Sequence, residues 1–323
     1  MQTRKLGYTD LELTTIGLGT WAIGGPGWKF GWGPQDDDEA VAGILAALDQ
    51  GINWIDTAAI YGLGHSEQLV GQALNKTSLE PLVATKCGLL HDANRQIQFS
   101  LKADSIRREC EVSLKRLGID VIDLYQIHWP NPDEGIEEAW DEMAKLAKEG
   151  KVRYLGASNF SLDQIKRVQQ IHPVASLQPP YSMIRREVED ELLPYCAQND
   201  IGVVPYSPMQ MGLLTGKFTH ERIAAMTDND HRKSNPAFQQ PQFGATLELV
   251  EQLKPIAERN GRTVAQLAIS WVLRRSEVTS AIVGVRRPGQ IEETASAGDW
   301  NLTAEEIDRI ENLLAERLEK INT

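Results

Sequence analysis

A chain of 323 residues, 41% apolar and 24% charged, is long enough for one large α/β domain with a substantial core. Its net charge of -12 excludes a surface built for nucleic acid or an anionic membrane, both of which select excess Lys and Arg. The cysteines Cys87, Cys110 and Cys196 contain no C-x-x-C pair and argue against a disulfide framework, and the longest apolar run, residues 40–48, is far short of a membrane span.

Residues 1–7 are polar and basic and lead into no apolar stretch, so no secretory signal is expected and a cytoplasmic protein is. A strand-like run at 15–19 is followed by a Gly-rich loop at 24–38 carrying Trp28, Phe30 and Trp32. A helix at 39–50 leads to a strand at 52–56, and a helix at 66–75 to a strand at 82–86. The alternation continues through helix 104–117, strand 122–128, helix 137–149 and strand 152–157. Ser161 and Gln164 form a capping-box pattern that opens a helix at 162–170, ahead of a strand at 175–178. A helix at 187–198, a strand at 202–206, a polar stretch at 212–244, a helix at 264–274 and a strand at 281–284 complete the rhythm. Thr303 and Glu306 repeat the capping box at a final helix. The strand-like runs are short and not cleanly alternating, as parallel strands buried on both faces are. Eight such strands joined by crossover helices predict a single-domain (β/α)8 TIM barrel over residues 1–323, with two long loops over its mouth. A barrel of this size needs no partner to complete its core, so a monomer is expected.

Several motifs fail on inspection. Gly17-Leu-Gly19-Thr-Trp-Ala22 fits a dinucleotide fingerprint, but the glycines at 24, 25 and 27 and Pro26 follow at once, where the fingerprint requires a helix. The stretch Gly212 to Lys217 is one residue short of a P-loop. No Tyr-x-x-x-Lys and no His-x-His or H-E-x-x-H occurs, so no metal site is expected.

What remains is a set of ionisable residues where barrel strands end, the usual place for barrel chemistry. Asp56 ends the second strand with Tyr61 just beyond it, Lys86 ends the third and His128 the fourth. These types suit carbonyl reduction, which needs a proton for the developing alkoxide. A free phenol has a pKa near ~10, and a neighbouring ammonium is expected to draw it down toward a useful range. Lys86 would supply that charge, Asp56 would hold Lys86, and His128 would orient the substrate oxygen.

At these residues the chain resembles the aldo-keto reductase superfamily, most closely its bacterial general-stress branch. The likeness rests on Gly51-Ile-Asn-Trp-Ile-Asp56-Thr-Ala-Ala-Ile-Tyr61-Gly62, Ala84-Thr-Lys86, Asp123-Leu-Tyr-Gln-Ile-His128-Trp-Pro, Lys151-Val-Arg-Tyr-Leu-Gly156-Ala-Ser158-Asn159-Phe160, Gln178-Pro-Pro-Tyr181 and Gly284-Val-Arg286-Arg-Pro-Gly-Gln290. The resemblance implies a catalytic tetrad of Asp56, Tyr61, Lys86 and His128, and an NADPH-dependent reductase of small aldehydes or ketones. It implies that Ser158, Asn159 and Gln178 hold the nicotinamide carboxamide and that Tyr206 stacks on the ring. Gly19, Thr20 and Trp21 would lie beside the ring and ribose, and Ser207, Met209, Gly212 and Lys217 along the pyrophosphate. Gly284, Arg286, Gln290 and Glu293 would meet the adenosine end, where the Arg286 fork suits a 2′-phosphate and favours NADP over NAD. Gln290 and Thr294 depart from the Arg and Asn common at those positions. Trp21, Trp28, Trp32 and Trp129, with Phe30, would form the substrate slot. The alternative is a nucleotide-sensing subunit, as in channel-associated relatives, that binds the cofactor with little turnover. A metal-dependent barrel hydrolase is a weaker third reading.

Overall fold

The computed structural model describes residues 1–322; the last position of the expected 1–323 domain lies outside the described residues. In chain order its strands are β1 (Thr3–Lys5), β2 (Glu12–Thr14), β3 (Ile16–Gly19), β4 (Trp54–Asp56), β5 (Leu82–Cys87), β6 (Leu89–His91), β7 (Ile97–Phe99), β8 (Ile122–Ile127), β9 (Val152–Ser158), β10 (Ser176–Gln178), β11 (Gly202–Val203) and β12 (Ala281–Gly284). The helices are α1 (Asp37–Asp49), α2 (His65–Leu74), α3 (Ala103–Leu117), α4 (Ile136–Lys148), α5 (Leu162–Gln169), α6 (Leu192–Gln198), α7 (His220–Ala224), α8 (Gln242–Arg259), α9 (Val264–Leu273), α10 (Pro288–Thr294) and α11 (Ala304–Asn322). Eight strands run side by side in the order β11-β10-β9-β8-β5-β4-β3-β12, each pair parallel. The sheet curls until its edges meet, where Thr279 N donates to Val203 O at 2.8 Å and Ile282 N to Pro205 O at 2.9 Å. The result is the expected (β/α)8 barrel.

The period of two along each strand sorts the barrel interior into layers. Trp54, Ala84 and Leu124 pack with Leu6, Leu11 and Leu13 of the N-terminal hairpin into an apolar plug. Two residues further along the same three strands stand Asp56, Lys86 and Gln126, all buried. Register staggers the polar residues along the barrel: Asp56 pairs with Ala84 of the plug, and Lys86 pairs with Gln126. Apolar residues therefore close the bottom, and polar ones face the top. Between barrel and helices the larger core runs through residues such as Ile55, Val83, Tyr125, Leu155 and Trp140.

Both expected capping boxes form, with Gln164 N to Ser161 Oγ at 3.3 Å and Glu306 N to Thr303 Oγ1 at 3.2 Å. The structure departs from expectation in several places, among them these. The helix expected over 187–198 is a short turn at Glu187–Glu189 followed by α6. Pro194 explains the break, because its ring would clash with the carbonyl four residues earlier. The seventh strand is shorter than 202–206, since Pro205 has no N–H for the ladder and serves only as an acceptor. The polar stretch at 212–244 is not structureless: it holds α7 and several short turns around Leu213, Phe218, Phe238 and Phe243. The β6–β7 hairpin was not foreseen, its strands being only three residues long.

One buried acid outside the barrel titrates unusually. Glu109 on α3 accepts from Gly88 N at 3.0 Å and Ser105 Oγ at 3.1 Å, yet burial lifts its carboxyl from 4.5 to about 7. A raised carboxyl contributes its full stability below the unfolded value and loses it as pH climbs through the folded one, a difference of ~3 kcal/mol. Glu109→Gln is thus expected to melt close to wild type at pH 5 and several degrees above it at pH 8. Parallel melting curves for the two proteins across that range would refute the assignment.

Candidate active site

The polar layer at the barrel top is tied together around one carboxylate. Lys86 Nζ donates to Asp56 Oδ2 at 2.7 Å and to Thr57 O at 2.8 Å, and lies 3.4 Å from Tyr61 Oη. The other Asp56 oxygen accepts from Gln178 Nε2 at 2.8 Å and from Gln126 Nε2 at 3.3 Å. Asp56 and Lys86 are 3% and 1% exposed, so this pair carries its charges out of water and depends on those bonds. His128 follows β8, its N–H donating to Cys87 O at 3.0 Å, and its ring meets the Tyr61 ring edge-on at 5.6 Å between centroids. The four residues expected to converge do so.

Tyr61 reaches this group because the loops after β3 and β4 press together. A Cβ on Gly62, whose φ is +59°, would sit 2.0 Å from Gly24 O, and one on Gly24 would sit 2.7 Å from Gly62 N. Only glycines allow that approach. It sets Trp21 parallel to Tyr61 at 6.5 Å and Trp28 at 6.2 Å from it.

Burial controls the protonation of the group. It raises the Tyr61 phenol well above its usual 10, with the Asp56 and Tyr206 charges adding to the effect. The downward pull expected from Lys86 does not appear among these influences; loss of water is the largest of them and raises the phenol. Lys86 itself is lowered by burial, against the pull of Asp56. His128 is held well below 6.5 by burial and then by Lys86, so its imidazole is neutral at physiological pH. The site offers a protonated phenol, a neutral imidazole and a buried ion pair.

Beside this group Ser158 Oγ donates to Gln178 O at 3.0 Å, and Asn159, with φ +61°, donates through Nδ2 to His128 O at 3.0 Å. Tyr206 Oη donates to Asn159 Oδ1 at 2.9 Å. The segment beyond it is strained: Ser207, Gln210 and Met211 have φ of +58°, +47° and +54°, and Gly212 follows at +99°. Non-glycine residues in that region cost energy and cluster where loops hold ligands.

These elements open onto one cleft of about 380 Å³. Asp56, Tyr61 and His128 line it, as do all the residues named for cofactor and substrate, from Gly19, Thr20 and Trp21 to Gly284, Gln290 and Glu293; Lys86 lies beneath. Trp28, Phe30, Trp32 and Trp129 line it too, with Trp21 Nε1 donating to Phe30 O at 3.0 Å and Trp28 Nε1 to Gly25 O at 3.1 Å. Lys217 pairs with Glu293, also in the cleft wall. The Arg286 fork donates to Gln35 Oε1 at 2.7 Å and to the carbonyls of Trp32 and Pro34.

Sequence reasoning missed Gln126, Leu89, Ile97, Arg222 and Arg232. Gln126 had a signal, being a polar amide in a mostly apolar strand two residues before His128. Leu89 and Ile97 come with the unforeseen hairpin, and the two arginines sit in a stretch with no period to read.

The Aldo/keto reductase family model matches residues 15–315. The chain is similar to aldo-keto reductase YhdN of Bacillus subtilis (strain 168), 40% identical over 97% of this chain and 94% of that one. It is 38% identical to the NADH-specific methylglyoxal reductase of Escherichia coli (strain K12), over 94% of this chain and 95% of that one. Among solved structures it is similar to the glycerol dehydrogenase of Gluconobacter oxydans, with a TM-score of 0.89 and 39% identity over 98% of this chain and 96% of that one.

Proposed function

The chain belongs to the aldo/keto reductase family, and we propose that it reduces aldehyde or ketone carbonyls to alcohols with NADPH, using Tyr61 as the proton donor. The observation that carries this reading is the meeting of Asp56, Tyr61, Lys86 and His128 at one end of a long cleft.

The residues of the cleft fit a nicotinamide dinucleotide. Ser158, Asn159 and Gln178 supply side-chain hydrogen-bonding groups beside the tetrad, Tyr206 an aromatic face, and Lys217 and Arg286 cations for phosphates. Gln178 spends its Nε2 on Asp56 and Gln126, leaving Oε1 as the acceptor for a carboxamide N–H. When bound, the reduced cofactor supplies a hydride to the carbonyl carbon. Tyr61 Oη gives its proton to the carbonyl oxygen as negative charge gathers there, and Lys86 stabilises the phenolate left behind. Asp56 keeps Lys86 charged and fixed. Neutral His128 donates a hydrogen bond to the same oxygen and orients it. Because the indole N–H groups of Trp21 and Trp28 are spent on loop carbonyls, their rings offer faces rather than polar edges, which suits an uncharged carbonyl compound.

The preference for NADPH rests on Arg286, whose guanidinium matches a 2′-phosphate. The NADH-specific relative makes this the most exposed part of the reading. Arg286→Ala is expected to weaken NADPH about tenfold or more, the worth of a charge-assisted hydrogen bond, and NADH less than about twofold. Equal losses, or a wild-type chain that prefers NADH, would refute it. The whole reading is tested by titrating both nucleotides and following their consumption with a panel of aldehydes and ketones. Tight binding without turnover on any of them would favour the nucleotide-sensing alternative.

A further inference from the structure

The cations first expected to meet the cofactor's phosphates are largely engaged: Lys217 by Glu293, and the Arg286 fork by Gln35 and two loop carbonyls. A different cation is set up for the task. Arg232 is only 8% exposed yet lines the cleft. Its guanidinium lies 4.2 Å over the Trp32 ring and 5.8 Å from that of Phe218. Asp230 grips one edge, accepting from Nε at 2.9 Å and from Nη2 at 2.6 Å. Asp230 is itself fixed by a β-bridge to Trp32 and by accepting Arg232 N at 3.1 Å. Among the described residues nothing accepts from Nη1. A guanidinium clamped on one edge, stacked on a ring and open on the other edge is preorganised for an anion, because little rotamer freedom is left to lose.

Its place along the cleft indicates which anion. Trp32, on which it stacks, packs 5.6 Å from Trp21, the neighbour of Tyr61. Arg286 reaches the same residue, donating to the Trp32 carbonyl at 3.3 Å, and Arg232 disfavours its charge as it does that of Arg222. Arg232 thus sits between the reacting end and the adenosine end, the central one of three like charges, where a linking anion relieves their repulsion. We propose that Arg232 is a cofactor-binding residue that contacts the pyrophosphate of the dinucleotide, the moiety common to NADPH and NADH. The proposal rests on the functional reading above and adds to it a residue outside every motif that carried it.

The test is fluorescence titration of NADPH, NADH and ADP-ribose at several salt concentrations, with wild type, Arg232→Met and Arg232→Lys, each checked by thermal melting. Methionine preserves the packing on Trp32 and removes the charge. All three ligands are expected to bind Arg232→Met about tenfold more weakly, with a shallower dependence of log Kd on log salt, and Arg232→Lys is expected to recover part of the loss. Recovery by lysine separates lost charge from lost fold should the methionine variant melt early. Loss confined to NADPH would overturn the proposal in favour of a 2′-phosphate contact. Unchanged affinity for all three would overturn it by reducing Arg232 to a staple between two loops. A wild-type chain that binds neither nucleotide would bring down the functional reading, and this inference with it.

Discussion

Tyr61→Phe is expected to lower kcat for carbonyl reduction by about a thousandfold while leaving cofactor affinity within about twofold of wild type. The substitution removes one oxygen and keeps the ring that packs against Trp21, Trp28 and His128, so the cleft keeps its shape. What disappears is the proton for the developing alkoxide, and a positioned general acid is worth on the order of 10²–10⁴ in rate. The phenol is held well above its usual range by burial, so wild type presents the protonated form throughout neutral pH. Its kcat is accordingly expected to be flat there, and to fall only when strong alkali ionises Tyr61. Stopped-flow rates for wild type and variant would check both points; near-normal turnover by the phenylalanine variant would remove Tyr61 from the chemistry.

Lys86→Met should cost both activity and stability, and that combination separates it from the tyrosine variant. The ammonium makes three contacts at the barrel top: Asp56, Thr57 O and Tyr61. Its removal leaves the Asp56 carboxylate, 3% exposed, without its counter-ion. Breaking a buried pair by deleting one partner costs about 3–5 kcal/mol, because the other charge stays out of water. Adding Asp56→Asn to the same chain removes that stranded charge, so the double variant is expected to regain most of the melting temperature and none of the rate. Denaturation curves and kcat for the two variants decide the matter. A single variant with wild-type stability would mean that Asp56 is neutral or hydrated in the folded protein.

Both results depend on how strands of three to seven residues deliver side chains. Asp56, Lys86, Gln126 and Gln178 lie on different strands and far apart in sequence, yet hydrogen bonds to the Asp56 carboxylate join them above an apolar plug. Their positions at strand ends were legible because barrel strands are short apolar runs with abrupt ends, and ionisable residues at such ends stand out. The direction in which Tyr61 titrates was not legible. That depends on how much water reaches the phenol, which the sequence around it does not state. Arg232 was hidden for a related reason: in residues 212–244 the helices are too brief to show a period, and Phe218 and Phe238 make contact only after folding.

From residue order alone came the barrel, its eight strands, the four ionisable groups at their ends and the two long loops, since all of these follow from local periodicity and from which residue types sit beside Gly and Pro. Tertiary structure alone decided that Gly24 and Gly62 bring Trp21 onto Tyr61, that Gln126 braces Asp56, that the Arg286 fork is tied into a loop, and that Arg232 is clamped with one edge free. Each of these is a contact between segments distant in the chain. Its energy depends on separation and on exclusion of water, and neither is set until the chain has closed on itself.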